Sequence, residues 1–120
     1  MLIRTLATCS AFCAADRTLL RELLHPARQP VAIRYSLAHA ELAPGSASVP
    51  HCLRTAEVYY ILSGCGRMHI DRQSRTVSAD QCVYIPPGSR QYIENTGEGV
   101  LRFLCIVDPA WRAADEQVPG

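Results

Sequence analysis

No apolar run in these 120 residues approaches the ~20 a bilayer span needs. No cluster of basic side chains is dense enough to track phosphates, and the net charge is only +1, so nucleic acid is not indicated as a partner. A glycine-rich phosphate loop, a Ser/His/Asp order and a Cys/His pair of known spacing are all missing. Six cysteines are present, but none forms a CxxC knuckle. Cys82 and Cys105 sit in apolar strand-like runs, where a free thiol acts as a small hydrophobe. Reduced thiols in a cytoplasmic protein are the expectation. The start, MLIRTLATCSAFCAAD, only loosely resembles a signal peptide, because Thr5, Thr8 and Ser10 break its apolar run.

What is present describes one globular domain. Hydrophobic residues make up 48% and charged residues 19%, and the length supports a single core. DRTLLRELLHP reads as a short helix, with Asp16 as cap, leucines 19, 20, 23 and 24 on one face, and Pro26 as the stop. His25 then suits the C-terminal end of that helix. From Pro30 the pattern changes to period two: Val31, Ile33, Tyr35 and Leu37 alternate with Ala32, Arg34, Ser36 and Ala38. EVYYIL, GRMHI, TVSA, CVYIP, RQYIEN and VLRFLCIV continue as short strands between Gly- and Pro-marked turns, with GCG at 64–66 as a hairpin turn. DPAWRAADE reads as a closing helix, capped by Asp108 with Pro109 at its first position and Trp111 pinning it to the strands. QVPG reads as a loose tail. About eight short strands imply a small β-barrel or double-sheet sandwich.

Two segments carry a more specific pattern. In the first, Gly45, His51, Leu53, Glu57 and Gly64 hold the spacing Gly, five, His, one, His, three, Glu, six, Gly, with Leu53 at the second His position. In the second, Asp80, Pro86, Gly88, Gln91 and Asn95 hold the spacing Gly, five, Pro, one, Gly, two, His, three, Asn, with Asp80 and Gln91 replacing Gly and His. Together they resemble the paired motifs of the small single-domain cupins. The resemblance implies an all-β jelly-roll barrel over 31–107, an N-terminal strand/helix arm over 1–30 packed on it, and a C-terminal helix and tail over 108–120. It also implies a homodimer and a small-molecule ligand.

Strand alternation puts His51 and Leu53 on one face, Glu57 and Tyr59 on one face, and Gln91 and Asn95 on one face. In the family register, His51, Glu57 and Gln91 converge inside the barrel as ligands for a divalent transition metal: Zn, Fe, Mn, Ni or Cu. An unpaired carboxylate there would cost about 2–7 kcal/mol on transfer scales, so Glu57 needs a cation of some sort. Tyr59 and Glu57 are the candidate catalytic groups, with Tyr59 able to move protons if its pKa falls well below ~10. His39 and Arg34 lie on a strand of ambiguous phase. His69, Arg90 and Cys52 alternate away from the interior. The expected function is a metal-dependent isomerase, lyase or dioxygenase acting on a small carbonyl, carboxylate or sugar-like molecule. A non-catalytic small-molecule-binding barrel with weak metal or none is the second reading, and a purely structural role the third.

Overall fold

The computed structural model describes residues 1–118, so Pro119 and Gly120 of the expected tail lie outside the described residues. Eleven strands form two facing sheets: β1 (Ala11–Cys13), β2 (Leu19–Leu24), β3 (Ser36–Leu42), β4 (His51–Leu53), β5 (Ala56–Ser63), β6 (Cys65–Ile70), β7 (Gln73–Ser78), β8 (Cys82–Ile85), β9 (Arg90–Asn95), β10 (Leu101–Asp108) and β11 (Glu116–Gln117). The larger sheet runs β1-β2-β3-β10-β5-β8 and the smaller β11-β4-β9-β6-β7, and every named pairing is antiparallel. This is the double-sheet jelly roll that the strand pattern implies. Among the described residues no helix is long and apolar enough to cross a membrane.

The core forms where the inward faces meet. Ala40, Leu42, Tyr59, Ile61, Met68, Ile85, Ile93, Leu101 and Phe103 are buried together, each one strand step from an outward neighbour. Two corners fix the approach of the sheets. Gly64 takes φ +93° and passes the chain from β5 in one sheet to β6 in the other, so GCG is a sheet-to-sheet corner rather than a hairpin turn. A side chain there would meet Val100 O at 2.9 Å. Asn95 donates to Leu42 O and Gly99 O and accepts from Gly97 N, which ties the end of β9 to the turn before β10.

Both expected helices are replaced. Residues 19–24 form β2, which pairs with β3 from Leu19↔Glu41 onward. Strand alternation then separates Leu19 from Leu20, and the four leucines share no helical face. Asp16 still accepts a bond from the N–H two residues ahead, as a cap would, through Thr18 N at 3.1 Å. The chain behind it turns through Arg17, at φ 73°, into a hairpin. His25 accordingly ends no helix. It is buried in the turn after β2, where its Nε2 donates to Trp111 O and its Nδ1 accepts from Ala27 N.

At the other end, Asp108 is the last residue of β10, and only a 3-10 turn at Ala113–Asp115 precedes β11. Trp111 still ties the terminus down. Its backbone N–H donates to Ser36 Oγ and its indole N–H to Glu116 Oε2. The expected strand start at Val31 also moves, to Ser36. His39, between Arg21 and Leu104, alternates with Ala40 to the other face of the sheet and is buried there, and Arg34 is exposed before the strand, within 3.7 Å of Asp108.

Candidate functional site

A cavity of about 490 Å³ opens between the sheets, within the size range of small-molecule sites. Its polar end is built from three parts of the fold. Glu57 and Tyr59 point inward from β5, His51 from β4, and Asp16 from the β1–β2 turn. His51 faces Gln91 directly across the β4–β9 pair. The Pro86-Pro87-Gly88 turn sets that register. Gly88 adopts φ +80° and donates its N–H to Leu53 O at 2.7 Å, so the chain enters β9 with Gln91 opposite His51.

His51, Glu57, Tyr59 and Gln91 are all buried, and they do come together. Tyr59 donates its phenol proton to Gln91 Oε1 at 3.0 Å, and the Gln91 amide donates to Glu57 Oε1 at 3.0 Å. The three side chains therefore form one hydrogen-bonded row, Tyr59 to Gln91 to Glu57. Gln91 sits behind the cavity wall rather than on it, whereas His51, Leu53, Glu57 and Tyr59 line it. Tyr59 also packs on Phe103, with ring centroids 4.6 Å apart.

Electrostatics follow from this burial. Glu57 is pushed up to about 8, first by desolvation, against a hydrogen bond from Gln91 that favours the anion, and further by the nearby Asp16 and Glu116 charges. Burial and the Glu57 charge push the Tyr59 phenol well up from its ordinary value. That is opposite to the lowering a proton-transfer role needs, so at neutral pH Tyr59 is a hydrogen-bond donor. Cys105, on the same wall, is likewise raised by burial and remains a thiol.

His51 is oriented by its own loop. Its Nδ1 donates to Val49 O at 2.8 Å, which fixes Nε2 toward the cavity. Asp16 was read from sequence only as a cap, yet its Oδ2 stands 3.8 Å from His51 Nε2. The signal was there in part: an Asp two residues before a Thr closes a local turn on its own side chain. Nothing local in the sequence could say that this turn would dock on residues 49–51.

The donors do not make a transition-metal site as they stand. Leu53 is buried and apolar at the position two residues from His51, the Gln91 oxygen is occupied by Tyr59, and its amide hydrogens face Glu57. Among the described residues no three His, Cys, Asp or Glu side chains group as metal ligands. His69, Arg90 and Cys52 point away from this site. His69 stacks on Tyr92 at 4.1 Å and pairs with Glu94 on the outer face.

Comparison with known proteins agrees with the geometry. The family described as "Cupin domain" matches residues 38–107. Uncharacterized protein MJ1618 of Methanocaldococcus jannaschii is 36% identical over 104 residues, 86% of this chain and 82% of that protein. Among solved structures, a Cupin 2 conserved barrel domain protein from Salinispora arenicola superposes with a TM-score of 0.79 at 24% identity, covering 95% of this chain and 91% of that one. A predicted oxalate decarboxylase from Thermotoga maritima gives 0.78 at 23% identity, covering 90% and 99%. At these identities the two structures speak for the fold alone.

Proposed function

This chain belongs to the cupin family, and we propose that it is a small-molecule-binding cupin whose barrel holds a polar ligand without a tightly bound transition metal. The observation that carries this reading is the Tyr59–Gln91–Glu57 row. It gives the buried carboxyl a hydrogen-bond partner, and burial holds the proton on it, where a metal-binding barrel would use a cation. The apolar wall of Leu20, Leu53, Phe103 and Val107 suits a carbon body, and the end formed by His51, Glu57 and Asp16 suits a polar head.

A divalent ion on His51, Glu57 and Gln91 would require Gln91 to release Tyr59 and present its oxygen to the cavity. One feature favours that arrangement: a His whose other ring nitrogen is tied to a backbone carbonyl is oriented as metal ligands are. Elemental analysis of untagged protein from Zn-, Fe-, Mn-, Ni- and Cu-supplemented media decides between the two, beside His51→Ala and Gln91→Ala. The proposal expects far less than one equivalent throughout, with thermal-shift stabilisation by small polar organic ligands. Near-stoichiometric metal, lost in both variants, would overturn it and restore the metal-dependent enzyme on those three ligands.

A further inference from the structure

We propose that Asp16 and His51 form the recognition point for a protonated amine on the ligand. The inference rests on the small-molecule-binding reading and names the ligand's polar head. It starts from two acceptors placed side by side. Because His51 Nδ1 faces a carbonyl oxygen it carries a proton, and in that tautomer Nε2 turns its lone pair to the cavity. Nε2 makes no hydrogen bond among the described residues, although only 3% of the side chain is exposed. Asp16 Oδ1 is saturated by Thr18 N at 3.1 Å and Thr18 Oγ1 at 2.7 Å, which leaves Oδ2 free. The 3.8 Å between Oδ2 and Nε2 is too long for a hydrogen bond between them.

A nitrogen placed about 2.8 Å from each can donate to both, because an ammonium group has three protons. An alcohol has one and leaves an acceptor unmet. A carboxylate has none and is repelled by Asp16. The surroundings favour the same class. Glu116 adds a further acidic group to the cavity wall, and the protonated Glu57 adds a carbonyl acceptor. The two arginines on that wall are already engaged, Arg4 with Leu23 O at 3.0 Å and Arg28 with Glu22 at 2.7 Å. Arg28 is thereby paired with a carboxylate, and Arg4 is held at Leu23 by its Nε.

The position is also held rigidly. Asp16 O accepts from Val49 N at 2.8 Å, and Val49 O accepts from His51, so one residue of the loop links the hairpin tip to the imidazole. Asp16 and His51 are therefore fixed relative to each other by backbone, as a recognition pair needs to be.

The test titrates chelator-treated protein with n-butylammonium, 1-butanol and butyrate, three probes of nearly equal size, and follows backbone amide shifts by NMR. Butylammonium should perturb residues 16, 51 and 57 and bind at least roughly tenfold more tightly than the other two, the loss expected when a charge-assisted bond is missing. Asp16→Asn keeps an oxygen for both Thr18 bonds and should weaken butylammonium by roughly tenfold or more while leaving the folded spectrum intact. Ala15→Arg, which adds a cation at the same turn without touching the pair, should weaken it as well. Butanol or butyrate binding as well as butylammonium, no butylammonium binding at all, or undiminished amine affinity in Asp16→Asn would each overturn the inference. Preferred binding of butanol or butyrate in the cavity would overturn the amine alone and leave the metal-free binding reading standing. Stoichiometric metal uptake would defeat that reading separately.

Discussion

Gln91 stands between Tyr59 and Glu57, taking a proton bond from the first and giving one to the second, each at 3.0 Å. The amide therefore connects a phenol that burial keeps protonated to a carboxyl that burial keeps protonated up to about pH 8. Gln91 occupies the position of a histidine in the second motif, and the first two predictions concern its row.

Glu57 should make stability pH-dependent. Its ordinary value of 4.5 applies in the unfolded chain and about 8 in the folded one. Below pH 4.5 the carboxyl is protonated in both states, and the full stabilising effect of the raised pKa is present. As pH rises from there toward 8, the unfolded chain ionises while the folded one does not, so stability falls by up to about 1.4 kcal/mol per pH unit. Glu57→Gln, neutral and nearly isosteric, should remove that slope. Urea unfolding at several pH values is expected to show the two proteins alike at low pH and the variant more stable near pH 8. Parallel curves would show that Glu57 is not held neutral.

Tyr59→Phe removes the donor to Gln91 and leaves a buried amide oxygen without its partner. The expected cost is about 1–3 kcal/mol by chemical denaturation. The Tyr59–Phe103 packing is preserved by the substitution, so a much larger loss would mean that the phenol does more than satisfy Gln91.

Leu53→His combined with Gln91→His should give the barrel a metal site. Residue 53 shares the inward face of β4 with His51, and residue 91 faces His51 across β9. Three imidazoles and Glu57 would then be available as nitrogen and oxygen donors for zinc. Elemental analysis should find about one zinc per chain in the double variant and far less in the parent. Failure to load would mean that the Asp16 turn, and not the missing imidazoles, keeps metal out.

Asp80 occupies the left-handed region at φ 67°, which explains why the related motif places glycine there. Aspartate tolerates this region better than most residues, and its Oδ1 also accepts from Tyr60 at 3.2 Å. Asp80→Ala should destabilise by about 1–2 kcal/mol, whereas Asp80→Gly should be milder. Thermal denaturation of the pair is the check. Equal losses would assign the cost to the Tyr60 bond instead of the backbone.

Much of the barrel was legible in sequence because period-two alternation and motif glycines are local signals of strand and corner. From Ala56 to Asp108 the strands fall close to where the pattern put them, except that β7 starts at Gln73, three residues before TVSA. The ends were not legible. DRTLLRELL has leucine spacing and helix-forming residues that fit a helix in isolation, but pairing with β3 outweighs that propensity. DPAWRAADE begins with a convincing cap, yet its backbone and side-chain bonds go to Ser36, Arg34 and its own turn. The nearness of His51 and Glu57 to Gln91 was legible because the two paired motifs fix their register. Asp16 was not, because its role depends on contact with a segment 33 residues away, closed by the Val49 bond.

That bond has a further consequence. The hairpin tip belongs to the segment before residue 38, where the family match begins, yet it forms a wall of the cavity. Substitutions at the tip can alter the cavity wall without replacing any residue of the matched barrel. On the proposed amine reading, one half of the recognition pair, Asp16, thereby lies outside the matched barrel and the other, His51, within it.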